Sequence, residues 1–289
     1  MTSELHEQLQ STLGHAYHIE RELVGGGMSR IFLAEDETRE RRVVVKVLSP
    51  DLAQAVSIER FKREIQLAGH LDHPRIVPVL SAGQSSDLLY YTMPLIEGET
   101  LRALIDRERQ LSLEQALALT ADIADALDCA HRENVVHRDI KPENILVERA
   151  TGHALVTDFG IARAIEKSSD IASVTSTGLT LGTPTYMSPE QAAAERRIDG
   201  RSDIYSLGCV LYEMLGGTPP FTGTTARAII AQHLNERPRS LRIVRPDLPA
   251  HVDDALRKSL AKSPDDRHRN GAAMCTALSG PPRRRGLFW

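Results

Sequence analysis

The sequence predicts an α+β chain of two lobes: a small strand-rich N-terminal lobe carrying one main helix, then a larger and mostly helical lobe. Three observations predict it. From Tyr17 to about Gly98 the apolar residues fall in short runs of strand formers, broken by glycine and polar turns. Beyond Gly98 they recur at i, i+3 and i+4 over several turns. The 289 residues, 41% apolar and 26% charged, are enough for one large domain or two smaller lobes around a buried core.

Taken in order, residues 1–16 read as a short helical extension. HIERELVGGG (18–27) and RIFLAEDE (30–37) are strands flanking a glycine cluster, and RRVVVKVL (41–48) is a short β-branched strand. SIERFKREIQLAGHL (57–71) sets Ile58, Phe61, Ile65 and Ala68 at helical spacing. LLYYTMPLIEG (88–98) is a further strand run, and the lobe boundary falls near 96–100. SLEQALALTADIADALDCAHREN (112–134) is a long helix that Ser112 and Glu114 can open. SDIYSLGCVLYEMLGG (202–217) is apolar on nearly all sides and reads as a buried helix. More helices fall near 225–235 and 250–262. There is no internal repeat, and the closing PPRRRGLFW is too short and too basic to join a core.

Several classes are excluded. A net charge of −4 and 4% aromatic residues provide neither a basic nor a stacking surface for nucleic acid. Cys129, Cys209 and Cys275 lie far apart in apolar, helix-like stretches and form no CxxC pair. They read as three buried thiols in a reducing compartment. MTSELHEQLQ lacks the basic-then-apolar pattern of a secretory leader. No run approaches the roughly 18–20 apolar residues of a membrane helix, so a cytoplasmic location is expected. His70 and His73, in GHLDHP, read as a turn, because no other histidine or cysteine joins them at ligand spacing.

Four strings carry chemistry. In LVGGGMSRIFLAED (23–36) three consecutive glycines allow either a hairpin turn or a backbone cradle for phosphate. Lys46, in VVVK, shares a strand face with Val44 and Leu48. An ammonium on an apolar face needs an anionic partner or an escape to water; Glu64, beside Phe61 and Ile65, is the candidate partner. HRDIKPEN (137–144) and VTDFGIAR (156–163) together supply Asp139, Asn144 and Asp158 as oxygen ligands or a base, and Lys141 as a cation. Hard oxygen ligands beside phosphate suit magnesium. Each string alone reads as a turn; their joint occurrence in this order does not.

With SPE (Ser188–Glu190) added, the chain resembles a protein kinase over residues 17–279. HRDIKPENIL and GTPTYMSPEQ are most similar to bacterial serine/threonine kinases of the eukaryotic-like type. The resemblance implies a bilobal kinase fold, with an antiparallel-sheet lobe at 17–96 and a helical lobe at 97–279. An extension precedes it at 1–16 and a basic tail follows at 280–289. It also implies ATP with Mg²⁺, or Mn²⁺ in its place. Asp139 would take or orient the substrate hydroxyl proton, and Lys141 would hold the γ-phosphate. Asn144 and Asp158 would hold the metal, and Lys46, paired with Glu64, would hold the α- and β-phosphates. Ile31, Val44 and Leu146 would sandwich adenine beside Met93, with Pro94 to Ile96 as the hinge. The loop Val24, Gly25, Gly26, Gly27 would cover the phosphates. It departs from the family pattern, with Val24 and Ser29 where two glycines are usual, and Val44 replaces the usual alanine.

The hydroxyl-rich run SSDIASVTSTGLTLGTPTY (168–186) then reads as a segment ordered by phosphorylation, with Arg138 receiving the phosphate. Thr175 and Thr177 resemble the sites of the bacterial group; Ser176 and Thr180 rank behind them, and Thr183 is expected against Asp139 and Lys141. Glu190 and Arg267 are expected to form a buried ion pair, and Asp203 to hold backbone N–H groups of the 137–144 loop. Proteins bearing serine or threonine are the implied substrates; a homodimer and weak membrane contact through the tail are compatible with the sequence. The rival readings are a scaffold on the same fold with weak nucleotide binding, and a small-molecule phosphotransferase.

Overall fold

The computed structural model describes residues 2–14, 16–23, 29–48, 58–85, 88–159 and 184–280. The expectations placed on Val24, Gly25, Gly26 and Gly27, on Thr175, Ser176, Thr177, Thr180 and Thr183, and on the tail from residue 281 lie outside these residues. The described chain falls into two compact units. One holds the residues up to Glu97 together with 157–159; the other holds 98–156 and 184–280.

The first unit is a five-stranded antiparallel sheet with helices α1 (Thr2–Leu13) and α2 (Ile58–Gly69). Its strands are β1 (Tyr17–Leu23), β2 (Ser29–Asp36), β3 (Arg41–Leu48), β4 (Ser81–Ser85) and β5 (Leu88–Pro94), in the order β1-β2-β3-β5-β4. The period-2 alternation of strands sends their residues to two faces. Phe32, Ala34, Val43, Val45, Val47 and Leu88 pack with Leu9 and Leu13 of α1. Leu48, Leu89 and Tyr91 pack on the other face with Phe61 and Ile65 of α2. The helical extension is therefore part of this unit's core. Gln10 fastens it: its amide accepts from Ile19 N at 2.8 Å and donates to Tyr17 O at 2.9 Å. The polar SAGQS strand, β4, has no apolar alternation to reveal it; it forms by pairing with β5.

The second unit is mostly helical. A three-stranded antiparallel sheet, β6 (Gly98–Thr100), β7 (Ile145–Glu148) and β8 (Ala154–Val156), accompanies helices α3 (Leu101–Glu108) and α4 (Leu113–Arg132). Ser112 caps α4 by accepting from Gln115 N at 3.1 Å. After α5 (Pro189–Ala192) comes α6 (Arg201–Gly216), buried from Ser202 to Leu215 as its all-round apolarity predicts. It ends on Gly217, whose φ of 78° lies in the left-handed region; a Cβ there would stand 2.9 Å from Arg109 O. Helices α7 (Ala226–Asn235), α8 (Ala250–Ser259) and α9 (Gly271–Ser279) complete it, with α4 packed on α6 and α9.

NVV (134–136), β-branched as it is, forms no strand: Val135 N caps the end of α4 on Ala130 O. Two expectations need correction. The single lobe boundary near 96–100 is not the whole division, because residues 157–159 gather with the first unit. Cys209 is buried, but Cys129 and Cys275 are only half-buried.

Candidate active site

In the first unit, the antiparallel register places the site residues. Lys46 lies opposite Ile31 of β2 and Tyr91 of β5, and Val44 lies opposite Leu33 and Met93. Opposed residues share a face, so Ile31, Val44, Lys46, Tyr91 and Met93 line one side of the sheet. Val44 and Met93 are buried there, and Ile31 is half-buried. Pro94 ends β5 opposite Val43, at a strand terminus where proline is tolerated, and Ile96 follows two residues on.

The Lys46 ammonium is mostly buried, and its ion pair is with Asp158. The expected partner was Glu64, which is itself buried on α2. Asp158 takes the ammonium because its backbone, at φ 69°, turns the carboxylate toward β3. That conformation is uncommon for a residue with a side chain and holds only where the surroundings over-determine it. The second carboxylate oxygen of Asp158 accepts from the Tyr91 hydroxyl. No motif in the sequence singles out Tyr91. The available signal was its place two residues before Met93, which puts a phenol on the Lys46 face.

In the second unit, HRDIKPEN wraps around Asp139. Lys141 Nζ donates to Asp139 Oδ2 at 2.6 Å, and Asn144 Nδ2 donates to the same oxygen at 2.9 Å and to Asp139 O at 2.8 Å. Asn144 is buried at the end of a 3₁₀ turn that Pro142 opens, while the Asp139 side chain is 44% exposed. The base candidate is thus fixed in position yet open to solvent. Leu146 is half-buried on β7.

The loop is held from below. Asp203, fully buried on α6, accepts from His137 N and Arg138 N, each at 2.8 Å, and from His131 Nε2 at 2.7 Å. Burial pushes the Asp203 carboxyl up, but the His131 hydrogen bond, the nearby imidazoles and the backbone donors outweigh it, so it stays below the usual carboxylate range. Arg138 stands at φ 68°, and its carbonyl accepts from Gln191 Nε2 at 2.7 Å. Gln191 also closes a capping box with Ser188 at the start of α5. The loop and the segment that follows the hydroxyl-rich run are therefore tied together. Tyr186 of that segment donates to Glu213 at 2.5 Å, and Arg102 donates to the same carboxylate at 2.8 Å. The expected Glu190–Arg267 ion pair is present and buried.

The model of the protein kinase domain family matches residues 17–277. The chain is 42% identical over 269 residues to the serine/threonine-protein kinase PknB of Mycobacterium tuberculosis, covering 91% of this chain and 42% of that protein. It is 40% identical over 267 residues to a probable serine/threonine-protein kinase of Streptomyces coelicolor, covering 91% and 39%. The chain thus spans about two fifths of the length of these relatives. A crystal structure of Rad53 residues 1–466 in complex with AMP-PNP is similar in fold, with a TM-score of 0.74, 23% identity, and coverage of 91% of this chain and 65% of that one.

Proposed function

Because this chain belongs to the protein kinase domain family, we propose that it transfers the γ-phosphate of ATP to serine and threonine hydroxyls of proteins. One observation carries the reading: Lys141 and Asn144 both donate to the Asp139 carboxylate, on a loop pinned to a buried aspartate. A carboxylate held this way can receive a hydroxyl proton. The adjacent lysine, which also marks serine/threonine rather than tyrosine kinases in the resemblance, supplies charge for a transferring phosphoryl group.

The donor set fits Mg²⁺. Asn144 spends its amide N–H on Asp139, which turns its oxygen the other way, and Asp158 offers carboxylate oxygens; hard oxygen atoms of this kind are what Mg²⁺ takes. Bound Mg²⁺ would neutralise phosphate charge, with Asn144 and Asp158 as its ligands. Lys46 would leave Asp158 to hold the α- and β-phosphates, with Glu64 as its carboxylate partner. Ile31, Val44, Met93 and Leu146 would enclose adenine, with Pro94 and Ile96 as the hinge and Val24 to Gly27 over the phosphates. We read residues 17–279 as the catalytic domain, divided near Ile96, with 1–16 as its extension. Autophosphorylation at Thr175 or Thr177, received by Arg138, is the proposed activation step.

The test is transfer of radiolabelled phosphate from ATP to a generic basic protein. Asp139→Asn should lower turnover by roughly 10²–10⁴, Asp158→Asn should lower it as well, and mass spectrometry should find phosphate in 173–180 after incubation with Mg-ATP. Wild-type transfer no higher than that of the double variant would favour a nucleotide-binding scaffold instead.

A further inference from the structure

Among the described residues, two donors of different kinds meet Asp158. The Lys46 ammonium meets one carboxylate oxygen and the Tyr91 hydroxyl donates to the other. These donors have different prospects. In the function proposed above, on which this inference rests, Lys46 turns to the nucleotide phosphates. Tyr91 is anchored by its ring. It is 1% exposed and packed with Phe61, Ile65 and Leu89, so its ring is fixed in the core and only its hydroxyl reaches the polar side.

We propose that Tyr91 is a positioning residue for metal binding, its hydroxyl holding the Asp158 carboxylate in the orientation that receives Mg²⁺. A carboxylate oxygen has two lone pairs, so accepting from a phenol leaves that oxygen competent to meet a cation. Hydrogen bonds to a ligating carboxylate commonly set its direction, and losing one typically costs about 10- to 100-fold in metal affinity. The backbone adds a reason for such support at this position. Asp158 sits at φ 69°, a conformation that persists only when its neighbours hold it. Register makes the contact reproducible: Tyr91 is the β5 partner of Lys46, so phenol and ammonium rise side by side from adjacent strands.

The variant is Tyr91→Phe, which removes one oxygen and keeps the ring in its apolar site. The full chain is titrated with Mg²⁺ in the presence of a fluorescent ADP analogue, and binding is read directly. The Mg²⁺ concentration giving half-maximal binding should rise about tenfold, while affinity for the analogue in EDTA stays within about twofold. In a kinase assay, the Mg²⁺ dependence should shift in parallel and turnover at saturating Mg²⁺ should largely recover. Tyr91→Met, also apolar, should behave the same way if the hydroxyl is what matters. Unchanged or stronger Mg²⁺ dependence in the Phe variant overturns the inference. So does equal weakening with and without metal, which would mean a structural role alone. If the wild type itself shows no Mg²⁺-dependent nucleotide binding, the proposed function falls and this inference with it; a normal wild type beside an identical Phe variant sinks only the role of Tyr91.

Discussion

Arg267 meets Glu190 with both terminal nitrogens, each 2.7 Å from a different carboxylate oxygen. The remaining guanidinium N–H groups are equally engaged: Nε donates to Ala261 O, Nη1 to Arg201 O and Nη2 to Lys262 O. All five donors of the arginine are thus used. The pair joins α5, the start of α6 and the turn after α8, which is why a buried charge is tolerated here.

Removing one partner leaves the other buried without its counter-charge. Arg267→Met should lower unfolding stability by about 3–5 kcal/mol. Arg267→Lys should not restore it, since an ammonium has three donors and no planar fork. A Glu190→Gln, Arg267→Met double variant should be more stable than Arg267→Met alone. Urea denaturation checks all three, and an unchanged midpoint for Arg267→Met would contradict the finding.

The support under the 137–144 loop should titrate. Burial lowers the His131 pKa, but the Asp203 hydrogen bond and the charges of Asp203, Asp128 and Asp199 outweigh it, and the net direction is up. A histidine raised in the folded state adds stability that is complete below its unfolded value, about 6.5, and lost as pH climbs through the folded value. The stability gap between wild type and His131→Gln should therefore be largest at pH 5.5–6 and narrow toward pH 9. A gap that widens with rising pH would refute the assignment.

His233 should act in the opposite sense. It is fully buried; its Nε2 donates to Thr185 O at 3.1 Å and its Nδ1 accepts from Tyr205 OH at 2.9 Å. This bridge requires a neutral ring. Burial and the nearby Lys262 ammonium lower its pKa to about 4. Stability is then present above the unfolded value and lost as pH falls from about 6.5 toward 4, by roughly 3 kcal/mol from this one group. His233→Gln should show a flatter stability profile across that window in thermal melts.

The N-terminal helix should be a stabilising part of the first unit. Leu9 is 0% exposed against Phe32, Val43 and Val45. Leu9→Ala should cost about 2–5 kcal/mol, and Gln10→Ala should add to it by leaving Ile19 N without its 2.8 Å acceptor. Thermal unfolding of both variants measures this. A melting temperature equal to the wild type would mean that α1 is a loose appendage.

Sequence reading succeeded where the pattern is local. VVVK is strand-forming and alternates, so the face shared by Val44 and Lys46 follows from the pleat alone. Ser112 opens α4 because an N-cap is a property of a few consecutive residues. Where one segment's structure depends on another, the reading failed or stayed silent. NVV is as β-branched as many strands, yet Val135 N finds Ala130 O, and His137 N and Arg138 N just beyond the run find Asp203. SAGQS carries no strand signal and pairs only because β5 lies beside it.

The same division applies to the site. Asp139, Lys141 and Asn144 fall within six residues, so a tight turn brings them together and their grouping is written in HRDIKPEN itself. The partner of Lys46 is not. Glu64 and Asp158 are both acidic and both distant along the chain, and residue types cannot rank them. The register that sets Tyr91 beside Lys46, and the left-handed backbone of Asp158, put that carboxylate on the ammonium. Two halves of different secondary structure, the main helices and the grouping of the polar loop are legible in the chain's short-range periodicity and spacing, and the family of the fold in the motifs it shares with protein kinases. Which carboxylate meets Lys46, the contact Tyr91 makes with that carboxylate and the place of α1 in the core follow from the folded chain alone, because each is a contact between segments whose attraction exists only once the chain has brought them together.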